Sequence, residues 1–358
     1  MVHPDQSLLH QKLDTILFQI PIAGTYPSKP VLYLRTPFSG FSLKNISQPT
    51  TAQETAARNK ALGGYILLLV ALWVWAGNSI VGRLTATADI PPLAFTFWRW
   101  ATAFVIFALL FGLRAWRQRA DIIAAWKFIV PFSVISIAGF NAAFYIALQK
   151  SPALQVSLIQ SILPVLVLLL GLTILRERIT RRQWWGVLFS ITGAVVIVTR
   201  GDLQVLRTLA LGEGDVWALV AVFLWALQAF LMRWKPVRID IMAFMTVISF
   251  IGVVALAPFY VWETLVVAPM PLTQTSIIFV LYVAIMASFI GTTCWNEGTF
   301  RAGGAQAGYF GNLFPIFAGV LAILILGEEL RWYHVAGAVS VLIGIWLATW
   351  RRPPTSTR

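Results

Sequence analysis

The stretch "LPVLVLLLGLTILRERITRRQWWGVLFSITGAVVIV" (residues 163–198) decides how this chain is read. It holds two apolar runs parted by the polar, basic "RERITRRQ", with a proline at its start and two glycines, seven residues apart, near its end. An apolar run of about 20 residues crosses a bilayer as a helix. A basic break between two such runs reads as a turn at a membrane surface. The stretch also occurs twice. Moved along by 151 residues it falls without a gap on "FPIFAGVLAILILGEELRWYHVAGAVSVLIGI" (314–345). Gln155 then meets Gln306, Pro164 meets Pro315, Glu177 meets Glu328, Gly186 meets Gly337 and Gly193 meets Gly344.

The rest of the chain extends the pattern. Hydrophobic residues are 58% of the 358 and charged residues 11%, against about 25% charged in a soluble domain. This composition is that of an integral membrane protein. Ten apolar stretches follow one another, at about 65–86, 92–113, 127–148, 152–175, 182–199, 215–233, 240–262, 275–297, 304–326 and 331–350. Strands of a membrane barrel would be about 10 residues long and alternating, so α-helix is the remaining way to satisfy the backbone in lipid. At an offset of 150, "LWVWAGN" (72–78) meets "VFLWALQ" (222–228), and at 152 Gly139 meets Gly291. The repeat therefore covers five spans. Five is odd, so the second copy enters the membrane inverted.

The expected fold is all-α, with ten transmembrane helices as two inverted five-helix repeats, residues 63–200 and 212–351. Residues 1–62 lack a basic start with a long apolar run, so they do not read as a signal peptide. They read as a disordered cytoplasmic tail, or as an over-called translation start. With both termini placed in the cytoplasm, seventeen Lys and Arg face inward and five outward. This bias accounts for most of the net charge of +13, and nucleic acid is not needed to explain it. The single cysteine, Cys294, excludes a disulfide within the chain.

These residues carry a resemblance. The marks are "WAGNSIVGR" (75–83), the Pro, Glu-Arg and paired glycines of 163–198, and the second copy of that pattern in 314–345. In their order and duplication they resemble the drug/metabolite transporter superfamily, in its EamA-type family with two five-helix repeats. The likeness covers about residues 64–350. It implies a carrier of small metabolites, often an exporter of amino acids, with no catalytic centre, metal or cofactor. A bacterial inner membrane location and a small-molecule substrate in a lipid bilayer follow from it. A homodimer stays open.

Interrupted helices at matching places mark the midplane site in inverted-repeat carriers. Pro164 and Pro315 each lie about twelve residues into their span, near mid-bilayer at about 1.5 Å per residue. Each is expected to kink its helix and free the carbonyl four residues back. Polar or flexible residues gather there: Gln160 and Ser161 in one copy, Gly311 and Asn312 in the other. Asn78 and Gln228 form a second matched pair, and Asn141 and Trp295 extend the wall. These residues either join helix to helix or line a cavity.

Arg99, between Trp98 and Trp100 in the second span, has no carboxylate near it in sequence. Two readings stand: it snorkels to the interface, or it holds a substrate anion. Of the carboxylates only Glu297 reads as intramembrane, four residues before Arg301 as in a helical ion pair. With no proton relay evident, facilitation or exchange is favoured over a proton-coupled antiporter, which stays open beside a non-transporting receptor or scaffold. No HExxH, GxSxG or His–carboxylate cluster suggests an enzyme.

Overall fold

The computed structural model describes residues 51–177, 179–202, 204 and 211–349. Most of the tail, and Arg178, Arg207, Arg351, Arg352 and Arg358 of the charge count, lie outside the described residues. All that follows belongs to the compact unit that begins at Thr51.

Every regular element among the described residues is helical. The first repeat comprises α1 (Thr51–Thr87), α2 (Pro92–Arg117), the short α3 (Arg119–Ala124), α4 (Trp126–Ser133), α5 (Phe140–Lys150), α6 (Ala153–Gln160), α7 (Leu163–Leu175) and α8 (Arg181–Val198). The second comprises α9 (Glu213–Leu231), α10 (Ile241–Val266), α11 (Gln274–Tyr282), α12 (Thr292–Ala302), α13 (Gly304–Gly311), α14 (Phe314–Leu326) and α15 (Trp332–Thr349). Among the described residues, eight spans are long and apolar enough to cross a membrane. The remaining two of the ten are α8 and α15, each 18 residues long. α8 opens on Arg181, Arg182 and Gln183, which shortens its apolar part. Helix α1 starts at Thr51, so residues 51–62, read in the sequence as tail, are helical. "TAQETAARNKAL" is rich in good helix formers, and the span that follows supplies the nucleus from which the helix extends.

Three features repeat in both halves. Span three passes through a π-helical turn, Val134–Gly139, between α4 and α5, and span eight through Val283–Gly291 between α11 and α12. The glycines matched in sequence, Gly139 and Gly291, close these turns. Spans four and nine are each in two pieces, so the expected kinks are complete breaks. Ser161 and Ile162, and likewise Asn312 and Leu313, make tight three-residue bonds. Pro164 and Pro315 then sit in the first turn of the new helix, where a missing N–H has no partner to lose. Finally, α7 and α14 end on left-handed residues, Arg176 (φ 53°) and Gly327 (φ 65°).

Packing follows the pseudo-twofold. α8 crosses α15 through glycines: a Cβ on Gly186 would stand 2.6 Å from the Gly344 carbonyl, and one on Gly193 2.5 Å from that of Gly337. These two contacts exchange under the symmetry. α2 packs along α10, α1 against span eight and α9 against span three, so each repeat's first span serves the other repeat's third. Leu109, Leu113, Trp184 and Leu324 stand exposed. Outward apolar surface of this kind faces lipid.

Side-chain contacts sort the loops onto two ends. At one, here the Glu328 end, Lys150 pairs with Glu213, Gln149 reaches Ile90, and Glu328 reaches Ala153. At the Glu177 end, Arg233 pairs with Glu177 and Arg114 with Asp240.

Candidate substrate site

Arg99 is 5% exposed and points into the bundle. Its Nε donates to Ser288 Oγ at 2.7 Å, and its Nη1 to Asn141 Oδ1 at 2.9 Å and Tyr145 Oη at 2.8 Å. The Tyr145 hydroxyl in turn donates a hydrogen bond to Asn78 Oδ1. The guanidinium also lies over the rings of Trp100 and Tyr145, at 5.1 and 5.4 Å. The snorkelling reading is thereby corrected. Trp98 is exposed on the lipid side while Arg99 and Trp100 are buried. Three hydrogen bonds and two ring faces hold the cation inward more strongly than one interfacial contact would.

The π-turns explain how the site is built. In span three Asn141 stands just past the widened turn, whose last amide bond reaches from Phe140 back to Ile135. Asn141 Nδ2 takes the carbonyls of Ser136 and Ile137 at 2.9 and 3.0 Å. That fixes the amide and turns its oxygen to Arg99. In span eight, Ser288 sits in the π-turn itself, and Trp75 Nε1 donates to the Ala287 carbonyl there at 3.1 Å. The two irregular turns therefore flank one buried cation. Among the described residues no carboxylate pairs with it. Its partners are all neutral, although buried charges are ordinarily paired.

The remaining candidates fall in two groups. Trp75 and Trp295 rings meet at 5.2 Å, and a Cβ on Gly311 would touch Trp295 at 3.6 Å, so spans one, eight and nine share a wall. Gln160 Nε2 and Gln228 Oε1 are buried without a hydrogen-bond partner, leaving one donor and one acceptor unclaimed. Ser161 spends its hydroxyl on the Leu158 carbonyl, and Asn312 is half-buried at the break in span nine. The sequence reading missed Tyr145 and Ser288. Ser288 was findable: the offset of 152 that pairs Gly139 with Gly291 also pairs Ser136 with Ser288.

The carboxylates need a second correction. Glu297 pairs with Arg301 at 2.6 Å as its spacing implied, yet it is 43% exposed. Among the described residues the buried ones are Glu263 and Asp215, at 4% and 1%. Glu263 accepts from the amides of Leu93 and Ala94 at 3.2 and 2.7 Å, capping α2, whose own N-cap is a proline. Asp215 Oδ1 accepts from Ser151 and Gln155 at 2.8 and 2.7 Å, and its Oδ2 has no partner. Both lie near helix ends, where sequence position suggested solvent. Neighbouring helix termini cover them instead.

Comparison with known proteins agrees with this architecture. The transporter YyaM of Bacillus subtilis (strain 168), named as uncharacterized, is 26% identical over 297 residues, covering 81% of this chain and 94% of its own. A "Probable amino-acid metabolite efflux pump" of Salmonella typhimurium is 23% identical over 292 residues, covering 79% and 93%. A solved crystal structure superposes with a TM-score of 0.54 at 17% identity, covering 82% of this chain and 96% of that one, and shows the fold alone. The EamA-like transporter family model matches twice, over residues 62–199 and 212–350. With its five-span inverted repeat, twin π-turns and twin broken helices, the chain belongs to the EamA-like transporter family and is a multi-pass membrane transporter of the drug/metabolite type.

Proposed function

We propose that the protein carries a small carboxylate-bearing metabolite of the amino-acid class out across a bacterial inner membrane, by alternating access of its two repeats. One observation carries the reading: Arg99 is a buried cation, deep in its span, held by neutral groups alone. A charged residue at such depth is expensive and functional by default. An arriving carboxylate supplies the counter-charge, and a guanidinium is shaped to take it through parallel bonds. Asn78, Tyr145 and Asn141 position the guanidinium. Gln160 and Gln228 offer the unclaimed donor and acceptor for an ammonium or amide elsewhere on the substrate. The name of the Salmonella relative supports the amino-acid class and the outward direction. The Lys and Arg bias supports placing the Glu177 end in the cytoplasm and the Glu328 end outside.

Counterflow in proteoliposomes tests this. Amino acids and their carboxamides are offered to the native chain and to Arg99→Gln. We expect uptake of an acid and not its amide, and at least a tenfold loss in Arg99→Gln. Equal uptake of acid and amide, or an unaltered KM in Arg99→Gln, overturns the anion site.

A second reading, proton-coupled antiport, has Asp215 in its favour. Its Oδ2 is buried and unpartnered, where buried polar atoms ordinarily have a partner. An imposed pH gradient that drives uptake in the native chain and not in Asp215→Asn would support it.

A further inference from the structure

Four residues at the two ends of the bundle form two copies of one device, held in different settings. The repeat pairs Arg83 with Arg233 at an offset of 150 and Glu177 with Glu328 at 151. The backbones agree. The amides of Glu177 and Glu328 bond to the carbonyls of Gly171 and Ala322, at 3.2 and 3.3 Å, just past the left-handed helix ends. The side chains do not agree.

At the Glu328 end, Arg83 Nη1 donates to the carbonyls of Leu148 and Gln149 at 3.0 and 2.9 Å, in the last turn of α5. Glu328 accepts from the amides of Ala153 and Leu154 at 2.7 and 2.8 Å, in the first turn of α6. The junction between α5 and α6 is thus clamped on both sides, cation on carbonyls and anion on amides. Each charge has the sign that its helix end favours. The symmetry-related groups at the other end are the carbonyls of Phe300 and Arg301 and the amides of Gly304 and Ala305. There Arg233 Nη1 and Glu177 Oε1 bond to each other instead, at 2.9 Å. The packing differs in the same sense. All eight residues of α6 are buried. In its counterpart α13, Ala307 alone is buried among the residues whose side chains are described. Cβ atoms on Gly303, Gly304 and Gly308 would meet open space.

We propose that the two Arg–Glu pairs are the gates of the transport cycle and exchange partners as it turns. In this structure the Glu328 gate is shut, each charge on a helix end, and the Glu177 gate is open, its charges on each other. In the opposite state Arg83 pairs with Glu328 while Arg233 and Glu177 clamp the α12–α13 junction. Opening one end therefore leaves no charge unpaired, and the clamp and the ion pair change ends. The proposal rests on the alternating-access part of the function above and not on the substrate's charge.

Thiol labelling tests it without a substrate. In full-length protein carrying Cys294→Ser, a cysteine is placed at Ser157 or at its symmetry mate Gly308 and reacted with maleimide-polyethylene glycol. The parent is expected to react fast at 308 and slowly at 157. Glu328→Gln removes charge-assisted bonds from this state, which are stronger than neutral ones. From the opposite state it removes one ion pair, exposed like its counterpart Arg233–Glu177 and so of little net value. We expect the 157 rate to rise and the 308 rate to fall, each about tenfold. Adding Arg233→Gln, which weakens the opposite state in the same way, is expected to bring both rates back toward the parent. Unaltered rates, faster reaction at both positions, or no restoration by Arg233→Gln would overturn the proposal. Should Ser157→Cys fail to fold, the fall at 308 and its reversal carry the test alone. A failed anion site at Arg99 would leave these labelling results intact.

Discussion

A lysine at position 99 would keep the charge and lose the geometry. Arg99 serves Ser288 through Nε and both Asn141 and Tyr145 through Nη1. A single ammonium cannot stand at both places, so one buried acceptor is left without a donor, at about 1–3 kcal/mol. We expect Arg99→Lys to lower the melting temperature and weaken binding of an acid, and Tyr145→Phe to lower stability less while retaining selectivity for the anion. Thermal unfolding alongside counterflow separates the two effects. A lysine variant with native stability and native KM would show that the guanidinium fork has no role. The polar members of this site were legible because Asn78, Arg99 and Asn141 interrupt apolar runs. Tyr145 was not, since a tyrosine in a membrane helix reads as one more large apolar residue until its hydroxyl finds a partner.

At the scale of elements, the glycine crossing of α8 and α15 was legible from spacing alone, and its tolerance to change follows from the distances. A methyl on Gly193 would stand 2.5 Å from the Gly337 carbonyl and 2.9 Å from the Val341 amide. Both are backbone and cannot turn aside. Gly193→Ala is expected to destabilise by about 1–3 kcal/mol. Gly112, in the interior of α2, has nothing within 4 Å of an added Cβ. Gly112→Ala should stabilise by about 0.5–1 kcal/mol through helix propensity. Melting temperatures that move the same way in both variants would contradict this account. The π-turns were not legible. Pro131 precedes the first, but no proline lies in α11 ahead of the second. What holds them differs: a local bond in one, Asn141 on carbonyls four and five residues back in its own span, and a tertiary one in the other, Trp75 of span one on Ala287.

For the whole molecule, the repeat could be read from sequence because symmetry-related positions keep similar residues. The asymmetry could not, because the same Glu at 177 and 328 meets different surroundings. Sidedness is a further whole-molecule property, and charge is what decides it. The Glu177 end carries Arg114, Arg117, Arg119, Lys127, Arg181, Arg182, Arg233, Lys235, Arg238 and Arg301, against Arg83, Lys150, Arg200 and Arg331 at the other. Loops rich in Lys and Arg stay on the cytoplasmic side during insertion. Alkaline phosphatase is active only outside the cytoplasm, so its insertion into two opposed loops reports the orientation. Placed after Met270, between α10 and α11, it should be active. Placed after Pro236, between α9 and α10, it should be silent, and a cytoplasmic reporter should show the reverse. Moving the bias supplies the second half of the test. Neutralising Arg233, Lys235 and Arg238 to Gln removes most of the positive charge from one loop, and a fraction of molecules should then show activity after Pro236. Activity after Pro236 in the native chain, with silence after Met270, would invert the bundle and place the shut Glu328 gate on the cytoplasmic side.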